Sequence, residues 1–79
     1  MARLPPRSTR QIEALLQFHG FHFVRTRGDH RLWMHPRLAR SIPVQADKSD
    51  GQLSVDYVRT ILREAGIPRN EALKFWGTS

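Results

Sequence analysis

The sequence predicts a small α+β domain with the order α-β-β-β-α, followed by a short C-terminal helix. Apolar residues recur at helical spacing in two stretches, around Ile12 and around Val58, whereas the period changes to two from Phe21 onward. Strands that follow one another without an intervening helix favour an antiparallel sheet, and the helices on either side of them pack on one of its faces. We therefore expect the other face of the sheet to be open.

Length and composition limit the chain to one domain over residues 1–79, because a chain of this size has no room for a second core. It contains no cysteine, which excludes a disulfide framework and a thiolate metal site and is typical of a reducing compartment. No apolar run approaches the roughly 20 residues that span a bilayer, and the N-terminus lacks the hydrophobic stretch of a signal peptide. We therefore expect a soluble, cytoplasmic protein without a membrane contact.

The net charge is +6, and eleven arginines but only two lysines supply the positive side chains. Arginine carries a planar fork of donors that matches phosphate, and it stacks on aromatic rings and bases. This surplus points to a nucleic acid or to an acidic protein as the partner. The alternative interpretation is a basic protein whose charge serves only its solubility.

The first helix is predicted to begin at Ser8 and to end at Gly20. Ser8 and Gln11 have the spacing of a capping box, and a glycine just past the last periodic residue can close a helix. The residues of its buried stripe are Ile12, Leu15, Leu16 and His19.

Three strands are predicted to follow, and a tight turn at Gly28-Asp29 joins the first two. The first runs from Phe21 to Arg27 and the second from His30 to His35. The third, from Ala39 to Gln45, contains Pro43, which cannot donate to a sheet and therefore suits an edge. Because both sides of the second strand carry apolar residues, the alternation does not decide which face holds its first residue.

The second helix is predicted to begin after Ser54, its cap, and to end at Gly66. The short terminal helix then runs from Asn70 to Trp76. The apolar stripe of the second helix consists of Val55, Val58, Ile61, Leu62 and Ala65.

The candidate functional residues concentrate in and around the predicted hairpin. A histidine titrates near pH 6.5, so His30 can take up or release a proton at neutral pH, which RNA cleavage through the 2′-hydroxyl requires. Trp33 is a candidate for stacking on a base. The side chains that could hold phosphate near this histidine are Arg25, Arg27, Arg31 and Lys48.

Structural interpretations compete with these roles. A histidine beside a turn often only caps it, and a tryptophan in a strand usually packs in the core. His19 is expected to pack at a helix end, His22 to face solvent and His35 to be structural. No two histidines have the spacing of a helical metal site, so none is predicted.

Several short motifs follow one another along the chain, each weak alone but fairly specific in this order. They are Gly20-Phe21, Val24-Arg25, Gly28-Asp29-His30, Leu32-Trp33-Met34-His35-Pro36, Ile42-Pro43-Val44, Lys48 and the run from Val58 to Ile67. By these motifs the chain resembles the HicA (YcfA-like) toxins of bacterial type II toxin-antitoxin modules over nearly its whole length.

The resemblance implies a fold like the double-stranded RNA-binding domain and an mRNA interferase, an endoribonuclease that needs no metal or cofactor. The family's catalytic histidine lies in a Gly-Ser-His signature, which assigns that role to His30, with Asp29 in place of the usual serine. Gln45 stands where the family often has another histidine. The resemblance also implies a HicB-like antitoxin that binds the toxin and blocks its active site.

A second function remains open from the sequence. The chain could be a non-catalytic module that binds RNA or an acidic protein, with His30 serving only to order the turn. Cleavage of a transcript by the purified protein, lost on substitution of this histidine, would separate the two.

Overall fold

The computed structural model describes residues 3–46 and 52–77, and it confirms the predicted α+β order. The three strands form one antiparallel sheet in the order β1-β2-β3, as expected for a fold like the double-stranded RNA-binding domain. The elements are α1 (Thr9–Phe18), β1 (His22–Arg27), β2 (His30–Met34), β3 (Ile42–Gln45), α2 (Val55–Ala65) and α3 (Arg69–Trp76).

The third strand is shorter than predicted, since it begins at Ile42 and not at Ala39. Ile42 pairs with Trp33, almost at the end of β2, so the residues before it have no strand to pair with. The chain turns there instead, and Leu38 N–H donates to the carbonyl of His35 over 2.9 Å. The edge position predicted from Pro43 is confirmed, because within the part of the chain that the structure describes β3 pairs with β2 alone.

The predicted caps set the helix ends. Ser8 Oγ accepts from Gln11 N–H at 3.2 Å, while Gln11 Oε1 accepts from Ser8 N–H at 2.9 Å, which completes the capping box. Ser54 Oγ accepts from Tyr57 N–H at the start of α2. Beyond α1, Gly20 has a φ of 91°, and a Cβ there would lie 3.2 Å from His35 Nε2. This glycine therefore allows the end of the hairpin to approach the helix closely.

The core lies between the helices and one face of the sheet. From the sheet it takes Trp33, Ile42 and Val44, and the N-terminal arm adds Leu4. The helices contribute Ile12, Leu15, Leu16, Val58, Ile61, Leu62, Ala72 and Leu73. In β3, Ile42 and Val44 are buried while Pro43 between them is exposed, so the other face of the sheet is uncovered, as the sequence predicts.

Candidate functional site

His30 lies directly after the turn that joins β1 and β2. Arg27 and His30 are paired across the hairpin, which leaves Gly28 and Asp29 as a two-residue turn. Gly28 has a φ of 60°, the left-handed conformation that such turns require at this position. The Asp29 carbonyl accepts from Ala46 N–H at 2.7 Å, so the turn is also tied to the chain that leaves β3.

His30 is exposed on the open face of the sheet, which answers the question that the alternation left undecided. Trp33 is only 6% exposed and packs in the core, so its side of β2 faces the helices. Because successive side chains of a strand point to opposite faces, Arg31 shares the side of Trp33. His30 and Leu32 lie on the other side, away from the helices.

A β-bulge brings two arginines to the face of His30. Phe23 pairs with Trp33 but Arg25 pairs with Leu32, so the register shifts at Val24. Regular alternation would place Arg25 on the same face as Phe23, toward the helices. Since directly paired residues share a face, the bulge instead places Arg25 and Arg27 beside Leu32 and His30.

An open cavity of about 380 Å³ adjoins the imidazole. Its lining residues are Arg27, His30, Leu32, Ser41 and Pro43. The guanidinium group and the imidazole can bind a phosphate, and the apolar surface of Leu32 and Pro43 can contact a flat ring. The cavity therefore suits a ligand that has both groups. Sequence reasoning missed the last three residues. Leu32 and Pro43 could be found only from the strand register, in which they are partners, and Ser41 lies in an irregular segment without a local signal.

The strand opposite His30 is held firmly by the helices. Gln45 is the partner of His30 in β3. Its backbone N–H donates to Tyr57 Oη at 2.8 Å, and its backbone carbonyl accepts from Thr9 Oγ1 at 2.7 Å. Burial raises the pKa of the Tyr57 phenol; the bond from Gln45 opposes this and the Glu64 carboxylate adds to it. The side chains of Thr9 and Tyr57 therefore anchor β3, the edge strand, beside the candidate catalytic residue His30.

Two of the predicted site residues have structural positions instead. Glu13 of α1 accepts from Arg31 Nε and, at 2.8 Å, from Trp33 Nε1. The Arg31 guanidinium also lies 4.2 Å over the ring of Phe23. Arg31 is therefore engaged on the helix side, away from His30, and the buried Trp33 does not present its ring for base stacking. Neither side chain lines the cavity of His30.

The other three histidines do not line the cavity of His30. Lys48 lies outside the described residues. His22 is exposed, as predicted, while His35 Nδ1 accepts from Arg37 N–H at 3.0 Å and His19 contacts the ring of Phe18. Within residues 3–46 and 52–77, no three side chains are grouped to hold a metal ion. In the same ranges, no helix has the length and apolar character to cross a membrane.

Comparison with known families shows the family to which the chain belongs. The family described as HicA toxin of bacterial toxin-antitoxin matches residues 9–67. The chain belongs to the HicA toxin family. No curated protein matches the sequence. The matched part of this HicA protein contains α1, the whole sheet and α2, and therefore includes His30 and its cavity. Membership implies that the protein is a toxin with an antitoxin partner.

Proposed function

We propose that this HicA protein is an endoribonuclease that cleaves mRNA, with His30 as the acid/base group and without a metal or cofactor. One observation carries the proposal: His30 is exposed on the open face of the sheet, paired with Arg27 at the rim of an open cavity. The bulge that turns Arg25 to the same face supplies a second positive charge for the RNA backbone.

The chemistry follows from these side chains. The neutral imidazole of His30 takes the proton of the 2′-hydroxyl, whose oxygen attacks the adjacent phosphorus while the bond to the 5′-oxygen breaks. Arg25 and Arg27 offset the negative charge that develops on the phosphorane. The leaving 5′-oxygen receives a proton from the imidazolium or from water. The products therefore carry a 2′,3′-cyclic phosphate and a 5′-hydroxyl.

The cavity beside His30 has room for the base next to the cleaved bond. Leu32 and Pro43 offer it apolar surface, and the Ser41 hydroxyl can donate to or accept from a base edge. In this proposal these residues take the role that the sequence suggested for Trp33.

We also propose that the antitoxin is of the HicB type and that it covers this face of the sheet. Its binding would exclude RNA from His30 because both occupy the same surface. Since the substrate is mRNA, toxin and antitoxin act in the cytoplasm.

The decisive experiment compares the wild-type protein with His30→Ala and His22→Ala on a transcript, with the antitoxin absent. His22 is a matched control, because it is exposed and belongs to the same hairpin. We expect His30→Ala to lower the cleavage rate by about 10²- to 10⁴-fold and His22→Ala to cleave like the wild type. A 2′-deoxy substitution at the cleaved position should abolish cutting.

The competing function is a module that binds RNA or an acidic protein without cleavage, which the basic open face would also support. If the wild type and His30→Ala leave the transcript equally intact, the enzyme proposal fails. RNA binding that persists in both would then favour the binding module.

A further inference from the structure

A second cavity, of about 330 Å³, opens on the helix layer of the molecule. Its lining residues are Arg3, Leu4, Val55, Arg59 and Arg69. They come from the N-terminal arm, from the first half of α2 and from the beginning of α3, and none of them lines the cavity of His30. The helices pack on the face of the sheet that His30 does not occupy, so the two cavities are separate surfaces.

The chemistry of this cavity is specific. Among the described residues that line it, three are arginines and none is acidic, and its floor includes Leu4, which is 6% exposed. Arg59 Nη1 donates to Asp56 at 2.9 Å, but the side chains are 54% and 90% exposed, so this ion pair contributes little. A guanidinium carries five N–H donors, which leaves Arg59 able to hold a second carboxylate.

The combination of cations and aliphatic surface discriminates between ligands. A phosphate backbone would use the arginines but leave uncovered the partly exposed side chain of Val55, which lines the cavity together with Leu4. A peptide with a carboxylate next to an aliphatic side chain would use both, because the guanidinium groups bind the carboxylate and the floor buries the apolar group. A chain of net charge +6 favours an acidic partner, and membership in a toxin-antitoxin family implies a protein one.

We propose that this second cavity docks an acidic segment of the toxin's protein partner, in which a carboxylate is flanked by an aliphatic side chain. The proposal rests on the membership in the family and not on the nuclease activity. Arg3, Leu4 and Arg69 lie outside the segment that matches the family. The site therefore gives this toxin a contact through which it can select its own partner.

The test uses the full chain and a fluorescent octapeptide of alternating leucine and glutamate, with binding followed by fluorescence anisotropy. Matched peptides replace leucine by serine or glutamate by glutamine. Two double variants remove the same charge, Arg59→Ala with Arg69→Ala at the cavity and Arg25→Ala with Arg27→Ala on the open face. We expect the first to raise the Kd at least tenfold and the second to change it less than twofold.

Several outcomes would overturn the proposal. They are absence of binding to the wild type, equal affinity for the serine peptide, or an equal loss in the open-face variant. A short RNA whose affinity falls more in the cavity variant would assign the cavity to RNA. The single variant Arg3→Ala, in the exposed arm, tests the site without altering a helix and should raise the Kd about threefold. Cleavage of RNA by the cavity variant should match the wild type, which keeps this test independent of the proposed activity.

Discussion

The hydroxyl group of Tyr57 binds the edge strand opposite His30. We expect its removal to lower the stability of the protein by a measurable amount. In Tyr57→Phe the N–H of Gln45 loses its acceptor, which lies at 2.8 Å in the wild type. We expect the free energy of unfolding to fall by about 1 kcal/mol at pH 8, the usual contribution of a single hydrogen bond. Urea unfolding followed by circular dichroism measures this difference.

The same substitution should alter the dependence of stability on pH. Burial is the largest cause that raises the pKa of Tyr57 in the folded protein, so the folded state holds this proton more tightly than the unfolded chain. The resulting stabilisation is fully present below about pH 10 and is lost as the pH rises through the folded value. The gap between the wild type and Tyr57→Phe should therefore narrow from pH 9 to pH 11. A gap that stays constant would contradict the assignment.

The carboxylate of Glu13 shows why single residues of the site could not all be predicted. Arg31 and Trp33 lie close to His30 in the sequence, which suggested that they bind RNA together with it. Their partner is 18 residues away from Arg31 along the chain and lies on α1, so only tertiary packing reveals the contact. Side chains adjacent in a strand point to opposite faces of the sheet, so about half of them contact a helix that covers one face.

The helix boundaries and the hairpin turn could be predicted because they depend on local chemistry. Ser8, Gln11 and Ser54 cap the helices as their spacing indicates, and Gly28 takes the left-handed conformation that the turn needs. The bulge at Val24 could not be predicted, since no residue type there requires it. It nevertheless decides which arginines share the face of His30, because one additional residue reverses the alternation.

The hairpin turn offers a matched pair of glycine substitutions. Gly28 and Gly66 have φ values of 60° and 72°, and a Cβ on either would meet no atom within 4 Å. Alanine at each position is therefore penalised by the backbone alone, by about 1–2 kcal/mol. We expect similar losses of stability, but only Gly28→Ala should slow RNA cleavage, because this turn positions His30.

Thermal unfolding and cleavage of a transcript, measured on the same preparations, check both parts of this prediction. Gly66 closes α2, so it serves as the control for strain that lies away from the hairpin. If both variants slow cleavage to the same extent, general destabilisation accounts for the effect and the turn has no special part in it.

The positive charge of the whole chain predicts an anionic partner but not its place. The fold places five of the eleven arginines on two separate surfaces, with Arg25 and Arg27 on the open face of the sheet and Arg3, Arg59 and Arg69 around the cavity on the helix layer. This division arises from the register of the hairpin and from the docking of the N-terminal arm, which pairs Arg7 with Leu53. The composition reveals neither the register of the hairpin nor the docking of the arm. A single net charge is therefore compatible with two positive surfaces that bind different ligands.

The salt dependence of RNA binding should reveal this division. Each phosphate contact with single-stranded RNA contributes about 0.7 to the slope of log Kd against log salt concentration. We expect Arg25→Ala and Arg27→Ala each to lower the slope by about this amount. Fluorescence anisotropy measures binding to an RNA oligonucleotide that carries a 2′-deoxy substitution, so that it is not cleaved. Arg63→Ala removes the same charge from an exposed position on α2 and should leave the slope unchanged. An equal reduction by all three would mean that the net charge, and not the open face, binds RNA.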